Sequence, residues 1–214
     1  MFIIDFDDTL FDTQSFKVAR LGAVKELGVS DDVYLETYRE ARNSSDGLFT
    51  YSDLRHAEMI SRRGFDKDEI LAHLQTTTGE DLKDFLFPTT CEFLNGLKKY
   101  NETMVLLSLG DPAFQDLKVR GSCIDKHFDR MFMVDKTKEE VLNKLFEKNN
   151  PKNVWFINDK VQETLDLVKK FKGMNAVLRR SLNIDLHEYD SSGLPFFETL
   201  DEIEIYIRDK KETL

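Results

Sequence analysis

Apolar and polar positions along this chain follow two rhythms. Between Thr13 and Pro88 the apolar residues recur at helical spacing, as Tyr34, Tyr38 and Ala41 do on one face. Ser15 is placed to cap a first helix ending near Gly28, and Ser30 to cap a second. Ser52 opens a third that ends at Gly64, and Asp66 with Glu69 opens a fourth before Ile70, Leu71 and Leu74. No segment here reads as a strand, so the stretch predicts a small helical bundle.

Outside that stretch the rhythm changes to short, continuous apolar runs. Phe2-Ile3-Ile4, Met104–Leu107, Met131–Val134, Val154–Ile157 and Asn175–Leu178 read as buried strands. Helices are predicted between them. Thr89 with Glu92 has a capping-box pattern before Phe93, Leu94 and Leu97, and Thr137 with Glu140 has another before Val141, Leu142, Leu145 and Phe146. Asp111-Pro112 supplies a cap and a first-turn proline. Val161, Leu165 and Val168 mark a further helix. The tail has no clear pattern up to about Pro195, after which Thr199 and Glu202 cap a last helix carrying Leu200, Ile203 and Ile207. Alternating strands and helices predict the α/β class, a parallel sheet with helices on both faces. The predicted division is an α/β core from residues 1–13 and 89–214, with a smaller all-helical insert at 14–88.

Bulk properties narrow the chemistry. The 214 residues suffice for a core with a small accessory domain. A formal net charge of −10 argues against sequence-independent binding to nucleic acid or an anionic membrane. No apolar run approaches the ~18 residues of a membrane span. The first strand leaves no room for a signal peptide before it, and Cys91 and Cys123 show no metal-ligand spacing. Reduced thiols in a cytoplasmic protein are the expectation. The four histidines are scattered.

Candidate chemistry gathers where the strands end. The first strand runs into Asp5-Phe6-Asp7-Asp8-Thr9, and clustered carboxylates at the edge of a core must be paired, protonated or bound to a metal. A divalent cation such as Mg²⁺ is the simplest compensation; an acidic turn is the bland alternative. The second strand ends in Ser108, Lys136 lies just beyond the third, and the fourth ends in Asn158-Asp159 with Glu163 following. Open parallel sheets bind ligands outside the carboxyl ends of their strands. A loop serine, a solvated lysine and a helix-capping aspartate would explain these singly. Their recurrence at consecutive strand ends points to one site.

In these motifs the chain resembles the haloacid dehalogenase superfamily, most of whose members are Mg²⁺-dependent phosphatases. Asp5-Phe6-Asp7-Asp8-Thr9 matches the first motif, Asp-x-Asp-x-Thr, and Ser108 the second. Lys136 is taken as the third, with Leu142 as the apolar residue expected six positions later, while Thr137 and Glu139 replace the family's prolines. Asp159 with Glu163 matches the fourth. Asp8 stands where glycine is common, and Asn158 where Gly, Asp or Glu is common. The resemblance implies a Rossmann-like doubly wound core with a helical cap at 14–88. It implies Asp5 as nucleophile, Asp7 as acid–base, and Ser108 and Lys136 as phosphoryl ligands. Mg²⁺ is implied on Asp5, Asp159 and the backbone carbonyl of Asp7, with Thr9 among the substrate-binding residues.

The expected activity is hydrolysis of a small phosphomonoester metabolite through an aspartyl-phosphate. The superfamily's dehalogenases lack the second aspartate, so Asp7 favours phosphoryl transfer. A sugar phosphomutase using the same residues, or a non-enzymatic Mg²⁺-binding or interaction protein on this fold, are the alternatives. In the cap, Arg42 and Arg55 are the candidate substrate contacts; a solvated helix face is the plainer reading of each.

Overall fold

A computed structural model describes residues 1–42, 50–79, 81–147 and 151–213. Its centre is β1 (Phe2–Ile4), which pairs in parallel with β2 (Met104–Leu109) on one side and β4 (Trp155–Asn158) on the other. The sheet is completed by β3 (Arg130–Val134), β5 (Asn175–Arg179) and β6 (Phe196–Phe197), in the order β3-β2-β1-β4-β5-β6, and every pairing is parallel. The chain builds outward from β1 to β3, then crosses back to β4. The switch point therefore falls between β1 and β4, where a doubly wound sheet opens a crevice at its carboxyl edge.

Both faces of the sheet are covered, which is why its strands are continuously apolar. Phe2 and Ile4 point into one layer with Phe93, Leu97, Val119 and Ile203, supplied by α5 (Thr90–Lys98), α6 (Pro112–Gly121) and α10 (Leu200–Glu212). Ile3 points the other way, against Leu142, Leu145 and Leu167 from α7 (Lys138–Phe146) and α8 (Val161–Lys170). This is the period-two alternation of a strand buried on both faces.

The segment after β1 is helical: α1 (Thr13–Lys25), α2 (Asp31–Arg42), α3 (Asp53–Ser61) and α4 (Lys67–Gly79). These helices bury their own apolar cluster, including Val24, Tyr34, Ala57, Ile60, Ile70 and Leu74. Arg20 lies buried beneath it, paired with Asp53 and bonded to Tyr51, Thr78 and the Leu74 carbonyl. Two crossings join the cluster to the sheet layers side by side. Asp12 N–H donates to the Phe85 carbonyl at 2.7 Å, and Phe87 N–H to the Leu10 carbonyl at 2.9 Å.

Several helix ends differ from the sequence reading. Asp12, not Ser15, caps α1, accepting from the N–H groups of Gln14 and Ser15. Thr89 makes no side-chain cap; its φ of 61° is left-handed and turns the hydroxyl away from α5. Thr137 accepts from Glu139 N–H rather than from Glu140. The Thr199–Glu202 box is complete. The unpatterned tail holds a short helix, α9 (Leu186–Ser192), and β6, whose two residues pair only with Leu178 and Arg179. Among the described residues no helix is long and apolar enough to cross a membrane.

Candidate active site

The carboxyl ends of β1 and β4 place Asp5 and Asp159 on the wall of one cavity of about 230 Å³. Asp7, Asp8 and Lys160 share its floor, and α1, α2 and α6 close it from above and beside.

Asp5 is buried, with one ammonium and one hydroxyl bonded to its carboxylate. Lys138 Nζ donates to its Oδ1 at 2.6 Å, and the Thr9 hydroxyl to its Oδ2 at 3.2 Å. Lys138 also bonds Glu163 at 2.7 Å and Asn158 at 3.3 Å, so third- and fourth-strand residues converge on the first-strand carboxylate. Burial works against the Lys138 charge, yet Asp5 and Glu163 outweigh it and raise its pKa above the ordinary lysine value. Burial pushes the Asp5 carboxyl up, and Lys138 recovers only part of that. For Glu163 the balance reverses: burial is outweighed by Lys138 and Lys160, which lower it.

The lysine of the site is therefore Lys138, not Lys136. Lys136 lies exposed in the loop after β3. Thr137 caps α7, so Lys138 is its first residue, 2% exposed. A first-turn side chain tilts toward the helix N-terminus and so toward the strand ends. Thr137 and Glu139, in place of prolines, left the spacing to Leu142 as the only sequence guide, and it selects the exposed lysine rather than the one bonded to Asp5.

Asp7 is held by a different set of residues. Thr13 donates to its Oδ1 at 2.6 Å and Gln115 to its Oδ2 at 2.6 Å, while Lys118 forms an ion pair with it. Burial opposes charge on Asp7, but the Lys118 ammonium and these hydrogen bonds prevail and hold the carboxyl at about 2. Lys118 is itself buried among the rings of Phe6, Phe11, Phe16 and Phe114. Gly110 makes the approach of Gln115 feasible, because a Cβ there would lie 2.5 Å from Gln115 Nε2. Neither Lys118 nor Gln115 stands out in the sequence; only their positions on the inner face of α6 bring them to Asp7.

Asp8 takes a left-handed conformation, φ 56°, which explains why glycine would suit this position and why aspartate is tolerated. Arg179 donates to its carbonyl at 2.9 Å and stacks 3.3 Å from the Phe87 ring centroid.

Ser108 is fully buried at the end of β2, and among the described residues its Oγ has no hydrogen-bond partner. Thr9 lies behind Asp5 rather than on the cavity wall. Arg42 does line the cavity from the end of α2. Arg55 does not: its guanidinium is bonded to the backbone and hydroxyl oxygens of Thr50, which ties it to its own helix entry. Lys17 and Tyr38 line the cavity instead and were missed, because surface-type residues at helical spacing carry no signal for direction.

The donors fit a hard divalent cation. Among the described residues Asp159 Oδ1 is buried without a partner, and burial and the nearby Asp5 charge push the Asp159 carboxyl up to about 8. Two such carboxylates repel until a cation lies between them. Among the described residues no group of three or more His, Cys, Asp or Glu is arranged as a metal site. Mg²⁺ needs no such cage, since it retains several waters and takes one or two carboxylates.

The same architecture occurs in solved structures of low sequence identity. A haloacid dehalogenase-like hydrolase from Burkholderia xenovorans is 20% identical with a TM-score of 0.76, covering 95% of this chain and 94% of that one. The HAD-hydrolase YfnB from Bacillus subtilis, bound to magnesium, is 12% identical with a TM-score of 0.62, covering 94% and 95%. A protein assigned as a β-phosphoglucomutase from Thermotoga maritima is 16% identical with a TM-score of 0.68, covering 97% and 98%. Dehalogenases are also among the similar structures. No family model and no curated protein matches the sequence. The chain has the haloacid dehalogenase-like hydrolase fold, as its motifs implied.

Proposed function

We propose that this protein is a Mg²⁺-dependent phosphatase of the haloacid dehalogenase superfamily, acting on a small phosphomonoester in the cytoplasm. The observation that carries this reading is the convergence of Asp5, Asp7 and Asp159 on one cavity at the sheet's switch point, with the buried Lys138 ammonium bonded to Asp5. Asp5 and Asp159, with the Asp7 carbonyl, are the residues that would hold Mg²⁺. When bound, the ion shields their charge and polarises the phosphoryl oxygens.

The chain's own groups account for the rest. Asp5 attacks phosphorus; the new carboxyl–phosphoryl bond forms as the ester P–O bond breaks. Lys138 favours the ionised form of Asp5 and balances charge on the transferring group. Ser108, whose Oγ has no other partner among the described residues, supplies a donor to a phosphoryl oxygen. The Asp7 carboxylate relays a proton from the Lys118 ammonium bonded to it to the departing alkoxide, and returns to Lys118 the proton it takes from the water that attacks the aspartyl-phosphate. That water restores Asp5 and releases phosphate. A dehalogenase needs no proton at its leaving group, and here a carboxylate is held for that task by three side chains.

The test is release of inorganic phosphate from a panel of small phosphomonoesters, with Mg²⁺ and with chelator. We expect release that requires Mg²⁺ and is abolished in Asp5→Asn. Asp159→Ala should raise the Mg²⁺ concentration needed for half-maximal rate. Release that survives chelator, or an Asp5→Asn variant near the wild-type rate, would overturn the reading. Absence of release with isomerisation of a sugar phosphate would point to the phosphomutase.

A further inference from the structure

The cavity is polarised. One side is lined by carboxylates with Lys160 among them, and α1 and α2 contribute Lys17, Tyr38 and Arg42. Arg20 also faces the cavity, but Asp53 neutralises it. Among the described residues neither Lys17 nor Arg42 makes an ion pair with a carboxylate. Lys17 Nζ reaches only the Gln14 side-chain oxygen, at 3.4 Å, and lies 5.4 Å from the Tyr38 ring centroid. The Arg42 guanidinium lies 5.9 Å from the same ring. Two cations thus flank one phenol.

The groups acting on Lys17 come from every side of the cavity. Asp8 and Asp7 on the floor attract it, while Arg42 on α2 and Lys118 on α6 repel it. Burial and the like charges together lower its pKa. Cations left in this state favour an anion between them. On the phosphatase reading the phosphoryl group is provided for at Asp5, beside Lys138 and Ser108, where Mg²⁺ would be held. The space between is walled by Phe16, Tyr51 and Phe114, suited to the carbon body of a ligand.

We propose that Lys17 and Arg42, with Tyr38 between them, form a subsite for a second acidic group of the substrate, a carboxylate or a second phosphate, joined to the ester by a short carbon body. This inference rests on the phosphatase reading and names its substrate class. The competing possibility is that these cations serve only the transferred phosphoryl group.

Phosphonates, whose C–P bond resists hydrolysis, separate the two. The full chain with Mg²⁺ is titrated calorimetrically with phosphonocarboxylates and α,ω-diphosphonates of increasing length, and with alkylphosphonates of matched length. At the best length an acidic series should bind about tenfold or more tighter than its alkyl counterpart, as expected for a charge-assisted hydrogen bond. The better acidic series identifies which group is recognised. In Lys17→Gln/Arg42→Gln, with its folding checked by circular dichroism, that ratio should fall toward one. Equal affinities, no binding of any series, or a ratio unchanged in the double variant would overturn the inference. Phosphate release from the alkyl phosphates, measured alongside, tests the phosphatase reading by itself. Hydrolysis without a preference for acidic ligands would leave that reading standing and remove only the subsite.

Discussion

At the scale of single residues, the site is a set of charges that cannot stay alone. Asp5 and Lys138 are both buried, and removing one partner of such a pair leaves the other charge uncompensated. This distinguishes the two lysines after β3 experimentally. Lys138→Met should lower kcat for phosphate release by about a hundredfold or more, the scale of losing a donor to a developing oxyanion. Lys136→Met, an exposed change, should leave it within about twofold. A Lys136 variant with the larger loss would restore the spacing-based assignment. Thermal melts of both variants separate loss of chemistry from loss of fold.

At the scale of elements, the helices after β1 are joined by a polar centre as well as an apolar one. Arg20 on α1 bonds the carboxylate of Asp53 on α3 and the Leu74 carbonyl and Thr78 hydroxyl of α4. It ties three helices together through one guanidinium, whose planar fork suits several acceptors at once. Arg20→Met would leave Asp53 buried and unpaired, and should cost roughly 3–5 kcal/mol in urea denaturation. Arg20→Met/Asp53→Leu should recover much of that. A single-variant loss below about 1 kcal/mol would show that the pair is solvated.

For the whole molecule, the same helices make stability depend on pH. His56 is fully buried between the Thr37 and Tyr51 hydroxyls. Burial, with the Arg20 charge nearby, lowers its pKa from 6.5 to about 3. The unfolded chain binds this proton below about pH 6.5, while the folded chain refuses it until about pH 3. This contribution to stability is therefore complete above pH 6.5 and falls with decreasing pH, by up to about 1.4 kcal/mol per unit. Urea midpoints measured from pH 7 to pH 5 should drop more steeply for the wild type than for His56→Gln. Parallel curves would show that His56 is not the group responsible.

Much of this protein is legible in its residues. The apolar runs of β1, β2, β4 and β5 mark strands buried on both faces, which have no polar alternation to confuse the reading; Met131–Val134 also reads as a buried strand, but β3 lies at the sheet edge and is only partly buried. Asp5, Asp7, Ser108 and Asp159 are visible because each lies within three residues of the end of such a run, and strand direction fixes which edge they reach. The α9 and β6 segments were hidden, since a seven-residue helix and a two-residue strand are too short to show a period. Lys138 rather than Lys136 was decided by where α7 begins, a one-turn matter that rotates the side chain from solvent into the core. Lys118 and Gln115 at Asp7, and Lys17, Tyr38 and Arg42 in the same cavity, were decided by packing alone. Their meeting depends on how helices distant in sequence lie against the sheet edge, and local pattern contains no record of that geometry.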